Sequence, residues 1–421
     1  MIKKIVIAIV CFASWGLSAQ NGTASPYSYF GLGDSRTAGT VDNQMMGGIS
    51  MLADSIHINL KNPAAYSKLR LTTYAVGLSQ KRLSFKSAND QQSSSITNLD
   101  YLSIGVPLGE RFGFGFGLMP YSSVGYNIQA TFTNPDESTI INEYTGDGGL
   151  NRVYLSFGYE IIEHLSVGAT LNYNFGTIKS NRVQTSSDAQ YGTLDRREAQ
   201  INGYDFNYSL NYTPQLNDRY TLYTSIDVDT QLNLNAENAQ AIGSFSRVNG
   251  QEIEVVDVNL DAQGRKFTEI RVPTKTTLGL GIGEKLKWFL GAEYSFQTLS
   301  DYKNDFLNVD NLQYKNANSF ALGGYYIPEY TSFTSYFKRM VYRAGVKMAK
   351  TGMVINNQDI NDFGITFGTG LPLGQSVSNL NIGFEFGKRG TVDANLIKEN
   401  YFKINVGMSL NDKWFYKRKI N

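Results

Sequence analysis

Residues Leu165 to Gly176 read Leu-Ser-Val-Gly-Ala-Thr-Leu-Asn-Tyr-Asn-Phe-Gly, and their alternation constrains the fold more than any other feature of the chain. Leu165, Val167, Ala169, Leu171, Tyr173 and Phe175 are apolar, whereas Ser166, Gly168, Thr170, Asn172, Asn174 and Gly176 are small or polar. Successive side chains of a strand point to opposite faces, so this segment has one greasy face and one wet face. The period recurs from Tyr204 to Tyr212, with Asp205, Asn207, Ser209 and Asn211 opposite the aromatics. It recurs again from Phe402 to Leu410, with Lys403, Asn405, Gly407 and Ser409 opposite. About fourteen segments of this kind, each long enough to cross a bilayer at a tilt, begin near Leu71, Thr97, Phe112, Leu150, Leu165, Arg197, Tyr220, Glu269, Lys287, Asn318, Val341, Ile360, Val377 and Tyr401. Soluble sandwiches also alternate. A dozen or more such strands behind an export signal predict an all-β chain, a transmembrane antiparallel β-barrel with its apolar side outward.

The export signal is at the start. Lys3 and Lys4 precede an apolar run from Ile5 to Leu17 and then Ser18-Ala19, which reads as a signal peptide over residues 1–19. The run is too short for a membrane-spanning helix, and no later stretch supplies one. Cys11 is the only cysteine and lies in this leader, so disulfides and thiolate metal sites are excluded from the mature chain. Basic and acidic residues number 38 and 37, which removes the electrostatic case for nucleic acid. A mean hydropathy of −0.27 fits a barrel whose lumen face dilutes its lipid face. The location implied is the outer membrane of a Gram-negative cell.

The connections alternate in length. Pro107–Arg111, Ile162–His164, Pro214–Arg219, Gly283–Lys285 and Pro372–Ser376 are short; Asn127–Gly149, Lys179–Arg196, Leu232–Phe267 and Asp301–Asn316 are long and polar. Short periplasmic turns and long outer loops are the habit of bacterial barrels. Pro328–Met340 and Gly352–Asp359 break the rule, so the strand count is weakest there. An even count puts both termini in the periplasm, with residues 71–410 as barrel and 411–421 as a basic, aromatic tail. Residues 20–70 do not alternate. They read either as a periplasmic tail or as a plug folded into the barrel, and the apolar stretch Ile56–Leu60 favours the plug.

Asn62-Pro63-Ala64-Ala65 after Ala53-Asp54-Ser55-Ile56, Asn207 to Pro214, Val272-Pro273-Thr274, and Tyr294 to Tyr302 together resemble segments of the FadL family of outer-membrane transporters for hydrophobic compounds. The resemblance implies a hatch-plugged, fourteen-stranded barrel in which a ligand enters from outside and leaves sideways through a kink in the third strand. That strand here runs from Phe112 to Pro120. Proline cannot donate a ladder hydrogen bond, so a lateral opening is expected beside Gly117 and Pro120; the alternative is that Pro120 marks where the strand leaves the bilayer. The tail Trp414 to Lys419 looks typical of Bacteroidota-type barrels, whose PorV-like relatives serve the type IX secretion system.

The chemistry-bearing residues are few. His57 and His164 are the only histidines and are far apart in sequence, so neither a metal site nor a catalytic set is expected, and no cofactor. Phase on the strand from Val341 turns Arg343 and Lys347 inward, either to hold a ligand carboxylate or to pair with lumen acids such as Asp227, Asp229, Glu293 or Glu385. Met45, Met46 and Met51 either line a greasy pocket or pack, and Asn62, Pro63 and Ala64 are candidate plug or ligand contacts. The sequence therefore supports a monomeric barrel, with outer-membrane lipid around it, that passes a hydrophobic small molecule such as a fatty acid without energy coupling. The alternative is a non-transporting accessory barrel with protein partners in a secretion or outer-membrane assembly complex. A polar porin is disfavoured because a plug would block it.

Overall fold

In the computed structural model, which describes residues 22–36, 38–307, 311–373 and 378–414, fourteen antiparallel strands close on themselves. In chain order they are β1 Thr72–Lys86, β2 Gln91–Leu108, β3 Phe112–Thr133, β4 Thr139–Ile162, β5 Leu165–Ser186 and β6 Tyr191–Tyr212. Next come β7 (Tyr220–Asp229, then Leu232–Ser246) and β8 (Glu252–Asp257, Phe267–Val272 and Lys275–Glu284). The last six are β9 Trp288–Gln297, β10 (Leu312–Tyr314 and Ala317–Tyr326), β11 Val341–Ile355, β12 Gln358–Pro372, β13 Asn379–Arg389 and β14 Lys398–Asp412. β14 pairs with β1 from Lys398↔Lys86 to Asp412↔Thr72, which closes the wall. The leader 1–19 and the basic end of the tail lie outside the described residues. Among the described residues no helix is long and apolar enough to cross a membrane.

The alternation fixes the faces. On β6, Tyr204, Phe206, Tyr208, Leu210 and Tyr212 are exposed, while Asp205, Asn207, Ser209 and Asn211 between them are buried. Water would not tolerate that exposed belt, repeated around the barrel; hydrocarbon does.

Four strands are longer than any bilayer needs. β4 has 24 residues and β3, β5 and β6 have 22 each. At a rise of about 3.4 Å per residue they run for roughly 70–80 Å, about twice a spanning strand of ~9–11 residues with its flanks. Asn127–Gly149, Lys179–Arg196 and much of Leu232–Phe267, expected as long loops, are instead continuations of paired strands with tight tips at 134–138, 187–190 and 247–251. The sequence signal fails there because the outer reach faces water on one side, so polar residues occupy both faces and the apolar phase disappears. Gly352–Asp359 is short because Asn356 and Asn357 both adopt positive φ (49° and 62°), the geometry of a two-residue hairpin turn.

Candidate functional site

Described residues 22–70 lie against the inward faces of strands all round the barrel. Their only regular pieces are short: one-turn helices at Pro26–Tyr29 and Val41–Gln44, a two-turn 3₁₀ helix at Pro63–Lys68, and a two-residue strand Asp34–Ser35. Inward glycines let this backbone touch the wall. A Cβ on Gly323 or Gly345 would overlap the Met46–Gly47 backbone, and one on Gly168 would overlap Pro63–Ala64. Met45 lies over Gly368 and Gly383, and Met51 over Gly279 and Gly291. Met45, Met46 and Met51 are each 1% exposed, so they fill space against the wall and leave no greasy pocket between them.

Polar groups fasten the same segment. Glu293 on β9 accepts the backbone N–H groups of Ser50 (2.5 Å) and Met51 (2.8 Å), and Lys61 Nζ stands 3.5 Å from its other oxygen. Asn62 Nδ2 donates to Asn211 Oδ1 at 2.8 Å, and the Ala64 amide donates to Ser209 Oγ at 2.7 Å. Thr366 Oγ1 donates to Met45 O and accepts from the Gly47 amide. Lys68 pairs with Glu160 at 2.5 Å. Arg343 and Lys347 face inward: Arg343 donates to Asn381 Oδ1 at 3.0 Å, and Lys347 pairs with Glu385 at 2.5 Å.

The ladder between β2 and β3 is broken part-way up the wall, at a seam. β2 and β3 pair only from Leu108↔Phe112 to Leu102↔Leu118. Just beyond, Pro120 offers no N–H, a bulge falls between Pro120 and Ser122, and β2 bulges at the register shift that skips Asp100. The freed edge of β3 does not stay open. Asp34 and Ser35 pair with Ser123 and Ser122, and the Arg36 amide donates to Tyr121 O, so the N-terminal segment takes the slot that β2 vacates. Arg389 on β13 holds Asp34 at 2.7 Å. Burial raises the Asp34 pKa, but the charge of Arg389, then of Lys81, outweighs it and the carboxyl is pushed down to about 2. Gly117 lies on the paired side of the break, against Tyr154 and the β2 backbone.

The space left behind the seam is a cavity of about 120 Å³, bordered by Met119, Pro120, Asp100, Lys403, Glu385 and Lys347 among others. Lys403 Nζ donates to Gln44 Oε1 at 3.0 Å and stands 3.6 Å from Asp100. An apolar ligand would have to desolvate this charge network to pass, at a cost of several kcal/mol per ion (roughly). The other end of the lumen is filled too: Leu260 and Phe306, from the connections after β8's first segment and after β9, sit buried among Val124, Leu150, Ile201 and Leu234.

Two tests follow from this geometry. Arg389→Ala leaves Asp34 buried without its partner, a loss of about 3–5 kcal/mol by analogy with broken buried pairs. Amides of residues 33–36 should then exchange with deuterium at least tenfold faster while those of β5 stay protected. The second concerns pH. His57 Nδ1 lies 2.6 Å from Asp54. Burial lowers the His57 pKa, but Asp54 and then Asp42 raise it more, so it ends above 6.5; burial raises that of Asp54, but His57 brings it below its ordinary value. The imidazolium's contribution is complete below about pH 6.5 and is lost as pH rises through the higher folded value; the carboxylate's is present above about pH 4 and is lost as pH falls through the lower one. Protection of the 50–60 amides should therefore decline on the alkaline side, and His57→Ala should abolish that limb.

Solved structures superpose on the whole barrel. The Pseudomonas putida toluene transporter TodX aligns with a TM-score of 0.59 at 15% identity, over 90% of this chain and 100% of its own. The Ralstonia pickettii toluene transporter TbuX gives 0.58 at 12%, over 89% and 98%. A Pseudomonas aeruginosa FadL homologue gives 0.56 at 13%, over 89% and 97%. The FadL-type architecture expected from the Asn62-Pro63-Ala64 segment is thus the architecture found. Two of these neighbours are described as toluene transporters; at such identities the likeness carries the fold. No curated protein matches by sequence. A family model described as BamG matches residues 1–421.

Proposed function

The chain belongs to the BamG family, and we propose from its geometry that it is a non-transporting, non-catalytic accessory barrel of an outer-membrane assembly or secretion complex. The observation that carries this reading is the occupied lumen: the N-terminal segment fills the barrel with its backbone against wall glycines and fills the seam beside Pro120 as a strand. A conduit needs a contents-free path or a plug that leaves cheaply. Here withdrawal would strand the Glu293, Glu160 and Thr366 partners without their hydrogen bonds. The family description accords with the assembly reading. The exposed apolar belt and the barrel fold support an outer-membrane location. With the short turns facing the periplasm, as is usual for bacterial barrels, the lower end of β14 lies on that side, the N-terminal segment runs up inside the barrel until Ser25 and Tyr27 meet Glu399 and Ile397 near the outer turns, and the tall β4–β8 wall projects outward.

A second reading, passive passage of a hydrophobic small molecule with lateral exit, is favoured by the broken β2–β3 ladder. Native mass spectrometry of the protein extracted in mild detergent separates the two. Stoichiometric protein partners with no small-molecule adduct support the accessory role. A barrel that stays alone and carries a lipid-like ligand would overturn it.

A further inference from the structure

Beyond a general role in a complex, we infer where one partner binds: an extended, basic segment of another protein adds as a strand to the free edge Glu252–Asp257 of β8. This rests on the accessory-barrel reading and specifies a surface for it. The six residues Glu252-Ile-Glu-Val-Val-Asp257 are all exposed, and among the described residues they pair only with β7, from Glu252↔Phe245 to Asp257↔Ala241. Among the described residues no other strand pairs with the outer edge. After Asp257 the chain stays one residue longer on β7, with the Val258 amide donating to Gln240 O, and then turns inward to bury Leu260. A row of free N–H and C=O groups is a template for strand addition.

The surface beside the edge fits such a guest. Five neighbouring strands, β4 to β8, line an open hollow of about 860 Å³, in which Tyr144, Arg182, Asp195, Ile242 and Val256 stand at paired positions on one face. Val256 and Glu254 border this hollow, while Ile253 and Val255 alternate to the other side. Side chains of an added strand would therefore drop alternately into the hollow. The charge selects the guest. Glu252 is paired with Arg196, but Glu254 and Asp257 make no ion pair among the described residues. Two unneutralised carboxylates beside an open ladder favour lysine or arginine in the incoming segment and disfavour an acidic one.

The test uses the full-length protein in its own membrane. Val256→p-benzoylphenylalanine, irradiated in cells, should give a discrete protein adduct that maps by mass spectrometry to an extended basic segment; the same probe at the lipid-facing Tyr204 should not. A synthetic peptide of that segment should then slow exchange of the 252–257 amides, and E254K/D257K should weaken it at least tenfold. No adduct, an adduct with lipid or glycan, binding that leaves 252–257 unprotected, or affinity unmoved by the charge reversal would each overturn the proposal. Stoichiometric partners that persist in E254K/D257K would sink this site and leave the accessory role standing.

Discussion

Gly345→Leu is expected to expel the N-terminal segment from the barrel without unfolding the wall. The added side chain would occupy the position of the Met46–Gly47 backbone, with Gly323 on β10 holding the same piece from the next strand. Neither side can give: the wall is tied into two ladders, and Gly47 is held by Thr366. Overpacking costs about 1–3 kcal/mol when side chains can shift; backbone against backbone belongs at or above the top of that range. Limited proteolysis should cut within residues 38–60 in the variant and not in the parent, while the folded barrel still migrates as a compact band on unheated gels. If the segment stays protected, the close seating described for Gly345 is wrong.

Glu293→Ala is expected to have the second largest effect. That carboxylate takes two backbone N–H groups at once and faces Lys61, and it is 4% exposed. Removing it leaves two buried donors and a half-buried ammonium without an acceptor, about 3–5 kcal/mol by comparison with other broken buried pairs. Glu293→Gln keeps one acceptor oxygen and should recover part of the loss. The thermal transition of the plug, followed by exchange of the Ser50 and Met51 amides, should fall in the order parent, Gln, Ala. Equal behaviour of all three would mean that the glycine contacts alone hold the segment.

Much of this was legible in residues 71–410. Strand number and facing follow from a period of two, and the inward phase of Arg343 and Lys347 follows from Tyr342, Val346 and Met348 on the other face. The height of β4–β6 was not legible, because strands with water on their outer face carry no apolar phase. The edge Glu252–Asp257 lay inside what read as a loop for the same reason. Glu293 was visible as a lumen acid, but nothing in its neighbourhood names Ser50 and Met51, 242 or more residues away, as its partners.

The seam shows the division of labour. Proline at position 120 says that a ladder bond is missing, since the ring removes the donor. It does not say what takes the vacant place, and Asp34–Ser35 carries no strand signal of its own. That was decided by Arg389, Ser122 and Ser123, which meet it only once the barrel has closed. The sequence by itself determined a barrel, its lipid face and its small-residue lumen, because facing is a local consequence of strand geometry. Whether that lumen is a passage or a packed interior depended on contacts between residues hundreds of positions apart, and only the tertiary structure decided it.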